Sequence, residues 1–312
     1  MANLRSKPIR HLEEVTKPKV TIGVCVRNCE GCVMEALNSV LEQDFPHKLI
    51  EAIFVDDGSE DRTLSILDSY APKMDMHVKT FHHEWKGLGP SRNVVVDNAL
   101  GDYIVWVDGD MILSKDFVSK QVEFMERNPK VGIGKGKYGM FTEESFIVTF
   151  ENILDLVENE LGESKNGNNT KFPGTGGSIY RVKAIKEVGG FDERMQGVGE
   201  DQEVAYRLKT AGWSFGYSSA VFYEKCEKEL RALWDKYFWY GYGNYALYCR
   251  NRRIFSLYKM VPPASLIVGL FYSRLGYNLT HLKKAFLLPF HFLFKSFAWL
   301  LGFVSGQINS PV

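Results

Sequence analysis

The sequence predicts an α/β fold: a mostly parallel sheet flanked by helices on both faces, followed by a C-terminal apolar helical tail. Three observations lead there. Short apolar runs alternate with helix-period segments over the first 140 residues, the pattern of repeated βαβ units. The runs at 20–26, 49–55 and 103–107 are almost wholly apolar, as strands covered on both faces require. From Ile254 onward the composition shifts to long aromatic and aliphatic stretches.

The elements follow in order. Residues 20–26 read as a buried strand, and 31–41 as a helix carrying Val33, Leu37, Val40 and Leu41 on one face. A second strand, 49–55, leads to a helix over 61–70 introduced by Ser59, Glu60 and Asp61. A third strand, 76–81, precedes a helix over 90–99 with Pro90 in its first turn, where a missing N–H costs nothing. The fourth strand, 103–107, runs directly into Asp108. Further on, 141–161 and 199–211 read as helices, 162–170 and 174–178 as glycine-rich loops, and 227–253 as an aromatic helix or helix pair. The expected organisation is an N-terminal extension over 1–18, a catalytic domain over 19–226, a helical connector over 227–253 and apolar helices over 254–312.

With 312 residues the chain can bury a sizeable core. Lys+Arg and Asp+Glu both total 38, so the formal charge is zero and no basic footprint for nucleic acid exists. The first 19 residues contain no apolar signal-peptide core. Five cysteines fit a reduced, cytosolic protein. Cys29 and Cys32 lack a second Cys or His pair at matching spacing, so free thiols are expected there rather than a zinc site.

In the tail, Arg250, Arg252 and Arg253 precede apolar stretches at 254–272 and 285–304. The second is long enough to span a bilayer. Lys284, His291 and Lys295 recur at helical spacing, however, with Phe286, Leu293 and Phe297 opposite them. That pattern favours a helix lying in the membrane interface over one crossing it, with packing on the catalytic domain or a partner as the other alternative. A mean hydropathy of −0.19 argues against a polytopic transporter.

Asp108, Gly109 and Asp110 place two carboxylates where a strand leaves the sheet. Such a pair can share Mg²⁺ or Mn²⁺, hard cations that keep positions open for phosphate oxygens; it is also ordinary turn chemistry. Ligand sites of open α/β sheets lie beyond the carboxyl ends of the strands. Asp56 and Asp57 directly follow the second strand and could accept from a base N–H or a ribose hydroxyl, or serve only to cap the next helix. Arg27 and Asn28 end the first strand and should lie beside Asp56. Arg92, followed by Asn93, adds a cation able to hold a diphosphate through paired hydrogen bonds, or to form a surface ion pair. Glu200 and Asp201 open a helix after Gly197, Val198 and Gly199. There a carboxylate is favourable for the helix dipole and can also act as a general base.

In sequence order, the segments 55–61, 91–104, 107–110, 176–178, 189–193 and 199–201 resemble the motifs of family 2 glycosyltransferases. The likeness covers about residues 19–225. It implies a GT-A, Rossmann-like fold, a UDP- or GDP-sugar donor, a Mn²⁺ or Mg²⁺ cofactor and inversion at the anomeric carbon. By the same resemblance Arg27, Asp56 and Asp57 contact base and ribose, and Arg92 and Asn93 support the donor. Asp108 and Asp110 form the metal-binding pair, and Asp201 is the catalytic base. Gly176, Gly177 and Ser178 line the donor-sugar and acceptor pocket. Two departures stand out. The first strand ends Cys25, Val26, Arg27, Asn28 without the usual tyrosine, leaving Arg27 to stack on the base. Glu224 follows Ala220–Tyr223 where many members carry a metal-reaching histidine, so it is a candidate extra ligand.

The expected activity is sugar transfer to a hydroxyl of a lipid-linked or cell-surface glycan, at the cytoplasmic face of a membrane, with peripheral or monotopic attachment. A polyprenyl- or dolichyl-phosphate sugar synthase is the alternative. It is disfavoured because an anionic phosphate nucleophile needs no base. A non-catalytic nucleotide-sugar-binding module is a third.

Overall fold

A computed structural model describes residues 17–140, 145–163, 172–195, 197–254 and 261–309. Its strands are β1 (Val20–Val26), β2 (Ile50–Asp57), β3 (His77–His83), β4 (Tyr103–Val107), β5 (Met111–Leu113), β6 (Val131–Tyr138), β7 (Ser178–Arg181) and β8 (Ser214–Glu224). Its helices are α1 (Val33–Leu41), α2 (Thr63–Tyr70), α3 (Leu88–Asn98), α4 (Phe117–Arg127) and α5 (Phe146–Glu163). They continue with α6 (Val182–Glu187), α7 (Glu200–Thr210), α8 (Leu230–Arg250), α9 (Pro262–Thr280) and α10 (Leu288–Asn309).

One eight-stranded sheet runs in the order β3-β2-β1-β4-β7-β6-β8-β5. β3, β2, β1 and β4 are parallel neighbours. β7 is antiparallel to both β4 and β6, and β5 is antiparallel to β8. Every residue of β1, β2 and β4 is buried because helices cover both faces. Alternation sorts the side chains: Val20, Ile22, Val24 and Phe54 join the core on the α1 and α2 side, while Ile53, Val55, Ile104 and Trp106 join that of α3, α6 and α7.

Several boundaries differ from the sequence reading. β2 continues through Asp56 and Asp57, so these carboxylates are the last strand residues rather than the first loop residues. Ser178 closes the glycine turn and also opens β7. The connector is one continuous helix, α8. Parts of the expected helix at 141–161 and loop at 162–170, of the apolar stretch at 254–272, and of the N-terminal extension lie outside the described residues.

The tail packs inward. A Cβ added to Gly241 of α8 would overlap the Trp299 carbonyl of α10, and one on Gly302 would overlap the Phe238 carbonyl. Glycine on both helices thus allows backbone-to-backbone approach. The polar stripe is the element most changed from expectation. His291 and Lys295 are buried, and both pair with Glu151 of α5, Lys295 at 2.8 Å. Lys284 lies over the Phe146 ring at 4.5 Å. The stripe faces α5 because a carboxylate waits there, and the outward surface is apolar, including Phe286, Phe290, Phe297, Leu301 and Ile308.

Candidate active site

The parallel register pairs Val26 with Asp56, so Arg27 and Asn28 emerge beside the end of β2. Asp56 is fully buried; its Oδ2 accepts from Ser59 N at 3.1 Å and lies 2.8 Å from His82 Nδ1. Its Oδ1 is buried without a partner among the described residues, an acceptor facing no donor. Asp57 is already engaged, accepting from Lys86 N at 2.8 Å and Gly87 N at 2.9 Å. It latches the loop that enters α3. Asn28, at φ 50°, likewise holds the next loop: its side-chain oxygen accepts from Glu60 N at 2.8 Å. Arg27 donates to Glu60 at 3.2 Å and lies over the half-exposed Trp85 ring at 5.5 Å.

α3 carries Arg92 into the centre of the cleft. Arg92 is buried, donates to Glu200 Oε1, and reaches Asp108 Oδ1 at 3.4 Å. Burial works against its charge, but Glu200, Asp108 and Asp201 outweigh burial and raise its pKa. Asn93 points elsewhere. Its amide donates to the Phe191 carbonyl at 3.0 Å and its oxygen accepts from Phe191 N at 2.8 Å. It clamps the segment leading to α7.

Asp108 caps β4 in a tight turn, with Met111 N donating to its carbonyl at 3.0 Å. β5 then pairs with β8 so that Met111 faces Glu224, and Lys225 N donates to the Asp110 carbonyl at 3.0 Å. Pairing of the short β5 with the end of β8 brings Glu224 close to Asp110. Burial, reinforced by Glu224 and Asp108, pushes the Asp110 carboxyl up to about 7. Lys236 of α8 lies 3.5 Å from Glu224. Among the described residues no three His, Cys, Asp or Glu side chains already converge on a single metal position.

Glu200 and Asp201 form the first turn of α7. Glu200 is buried, and its Oε2 has no partner among the described residues. Asp201 Oδ1 accepts from Gln202 N at 2.7 Å. Burial raises the Asp201 pKa, with Arg92 opposing. The 174–178 turn threads between the carboxylates. A Cβ on Gly174 would stand 2.9 Å from Asp201 Oδ2, and one on Gly176 3.0 Å from Asp108 Oδ2. Gly177 has φ +61° with the Phe222 ring against it, and Ser178 Oγ closes the turn on the Gly174 carbonyl at 2.7 Å.

Arg92, Asp108, Gly176, Glu200, Asp201 and Glu224 all line one cavity of about 500 Å³. Sequence reasoning missed several other lining groups. Lys135 of β6 is buried and donates to the Gly176 carbonyl; burial lowers its pKa while surrounding carboxylates counter the shift. α8 contributes Tyr237, Tyr240 and Asn244 to the same cavity, and α10 contributes Trp299. The spacing 237, 240, 244 puts the α8 residues on one helix face, a signal present in the sequence but indistinguishable there from a packing stripe.

The sheet order, with carboxylates at its open end, is that of the GT-A fold. A family model described as "Glycosyl transferase family 2" matches residues 21–189. The chain belongs to glycosyl transferase family 2.

Among similar proteins is the poly(ribitol-phosphate) beta-N-acetylglucosaminyltransferase TarS of Staphylococcus aureus, 33% identical over 110 residues, which cover 35% of this chain and 19% of TarS. The uncharacterized glycosyltransferase EpsJ of Bacillus subtilis is 32% identical over 158 residues, covering 50% of this chain and 45% of EpsJ. The matched segments thus span less than half of each of these relatives. Among solved structures, the mannosyltransferase PcManGT from Pyrobaculum calidifontis, in complex with GDP-Man and Mn²⁺, superposes with a TM-score of 0.69 at 18% identity, covering 95% of this chain and 88% of that one. S. aureus TarS 1-349 in complex with UDP has a TM-score of 0.50 at 18% identity, covering 94% and 92%.

Proposed function

We propose that the protein is an inverting glycosyltransferase that moves a sugar from a nucleoside-diphosphate sugar to an acceptor hydroxyl. The observation carrying this reading is the meeting of Arg92, Asp108, Glu200 and Asp201 around one cavity at the open end of the sheet. Similar folds with GDP-Man and Mn²⁺ or with UDP support the donor class.

Asp56 Oδ1 accepts a ring N–H or ribose hydroxyl, and Arg27 with Trp85 forms a platform for the base. Asp57, Asn28 and Asn93 act on the loops that shape the donor site rather than on the donor. Gly176, Gly177 and Ser178 leave room for the donor sugar. Asp108, Asp110 and Glu224 are a hard oxygen donor set suited to Mn²⁺ or Mg²⁺; burial and then repulsion from Glu224 and Asp108 raise Asp110, and a cation relieves that repulsion. Such ions typically use one or two carboxylates and complete their shell with phosphate oxygens and water, so a site without three convergent protein ligands fits. When bound, the cation supplies charge neutralisation for the diphosphate leaving group.

Asp201 acts as general base. The acceptor oxygen attacks the anomeric carbon, and the bond from that carbon to the diphosphate oxygen breaks with its electron pair leaving on the diphosphate. The acceptor proton passes to Asp201. Attack from the face opposite the leaving group inverts the configuration. Arg92 positions Glu200 and Asp108 rather than gripping phosphate alone.

The apolar outer face of α9 and α10 rests on a membrane, which makes an acceptor carried on lipid or a cell-surface glycan the natural partner. The residues from Lys283 to Asn309 are long and apolar enough to cross a bilayer, yet half of the most apolar window is buried inside the protein and Lys295 is paired inward with Glu151. Peripheral or monotopic contact through Phe286, Phe290 and Phe297 follows.

Titration calorimetry of UDP- and GDP-sugars with and without Mn²⁺, together with Asp201→Asn, tests the reading. One donor should bind in a Mn²⁺-dependent way, and Asp201→Asn should lower transfer by at least about 100-fold with donor affinity within twofold. Near-normal transfer by Asp201→Asn would overturn the base assignment.

A further inference from the structure

Resting on that reading, we infer that α8 and α10 build the acceptor subsite, and that it takes a neutral pyranoside. Tyr237, Tyr240 and Asn244 of α8 form the wall, and Trp299 of α10 forms the floor. The cavity that holds Arg92, Asp108 and Asp201 is continuous with these groups.

Asn244 is the specific handle. Its side chain is 5% exposed, and its Oδ1 is buried without a partner among the described residues. A buried amide oxygen left unsatisfied costs free energy, and a ligand hydroxyl entering the cavity removes that cost. Beside it, the Tyr237 and Tyr240 rings meet edge to face with centroids 5.5 Å apart. Lys295 Nζ lies 4.4 Å from the Tyr237 centroid, and Glu151 holds that ammonium in turn. Trp299 is fixed by stacking on Phe303 at 5.0 Å and by the glycine crossing of α8 and α10. Aromatic walls with a few fixed polar groups are the usual lining of ligand pockets. A pyranose offers an apolar C–H face for such a wall and a hydroxyl rim for the amide.

Charge selects against an anionic acceptor. Asp108, Glu158, Asp201 and Glu224 all line the cavity. Among the described residues its two cations are engaged, Arg92 with Glu200 and Asp108, and Lys135 with the Gly176 carbonyl. A phosphate brought among these carboxylates meets like charge at short range, whereas a hydroxyl meets acceptors and a base.

The test uses the full chain with its preferred donor and Mn²⁺. The acceptor probes are octyl glucoside, octyl galactoside, octyl mannoside, octyl N-acetylglucosaminide and citronellyl phosphate. Wild type should transfer to at least one pyranoside and not to citronellyl phosphate. Asn244→Ser and Tyr240→Ala should each raise the KM for that pyranoside about tenfold, the effect of losing one buried hydrogen bond or ring contact. Donor affinity and slow donor hydrolysis to water should stay within twofold. Intact donor binding with transfer only to citronellyl phosphate, or with no pyranoside recognised, overturns the inference and leaves the proposed function standing. An unchanged acceptor KM in either folded variant also overturns it. Absence of donor binding in wild type defeats the proposed function and this subsite together. Should Asn244→Ser lose donor affinity through misfolding, Tyr240→Ala decides.

Discussion

Arg92 and Glu200 form an ion pair in which the two side chains are only 4% and 3% exposed. A guanidinium expected to grip a diphosphate is thus also a structural charge, joined to the carboxylate that precedes Asp201, the proposed base. Removing one member of a buried pair leaves the other charged and desolvated, which costs about 3–5 kcal/mol. Arg92→Ala should therefore unfold at distinctly lower urea concentration as well as lose activity. Glu200→Gln, which keeps an acceptor for the guanidinium, should destabilise less. Equal urea midpoints for wild type and Arg92→Ala would show that the pair is dispensable to the fold.

The same burial sets a pH dependence. Asp201 works as a base only when ionised, and burial raises its pKa. The acid limb of kcat/KM should then lie above the ordinary aspartate range near about 3.9, with activity falling as pH drops through the raised value. With saturating donor and acceptor held well below its KM, initial rates measured from about pH 4 to 8 should follow that limb. A flat profile down to about pH 4.5 would contradict a raised base.

Trp85 offers a sharper test of the donor site than any carboxylate. It lies beside Arg27, which stands where a stacking tyrosine was expected. Stacking of a base on an aromatic ring contributes about 1–3 kcal/mol. Trp85→Ala should weaken nucleotide binding by at least about tenfold while Trp85→Phe keeps most of it, both read by calorimetry with the free nucleoside diphosphate. Identical affinities for both variants would move the base elsewhere.

Much of the parallel half was legible because its strands announce themselves. β1, β2 and β4 are mostly apolar up to the residues at their ends: Arg27 follows β1, Asp56 and Asp57 end β2, and Asp108 follows β4. The other half was opaque for physical reasons. β6 alternates Gly132, Gly134 and Gly136 with other residues, and glycine has weak strand preference. Only the packing of Phe124, Phe117 and Ile179 against those positions makes the strand legible. β5 has three residues, too few to register as a period. Asn93 and Asn28 carried motif positions without revealing that their side chains hold loops, because a hydrogen bond to backbone 98 or 32 residues away has no local signature. The inward stripe of α10 failed for a related reason: periodicity shows which residues share a face, but the partner that decides its direction, Glu151, lies on α5.

That partner makes the docking of the tail sensitive to acid. Burial favours the neutral acid, but Lys295 and His291 prevail and hold the Glu151 carboxyl down at about 2. A carboxylate with a depressed folded pKa stabilises fully above its unfolded value near about 4.3, and the contribution disappears as pH falls through the folded one. The shift corresponds to about 3 kcal/mol. Glu151→Gln should lower the melting temperature at pH 7 and flatten the loss of stability between about pH 4.3 and 2 seen in wild type. If wild type and variant melt in parallel across that range, the pair does not hold the tail.

The crossing of α8 and α10 gives the most direct link between packing and catalysis. Gly241 sits against the Trp299 carbonyl so closely that any Cβ must push the helices apart. Overpacking of this kind costs about 1–3 kcal/mol, and here the displacement moves Trp299, which floors the cavity. Gly241→Ala should therefore lower stability, shift tryptophan emission to the red as Trp299 meets water, and raise the acceptor KM more than the donor Kd. Gly212→Ala is the control for a glycine with positive φ and open space around it, and should affect stability alone. Fluorescence and acceptor kinetics unchanged in Gly241→Ala would mean that the two helices can separate without disturbing the site.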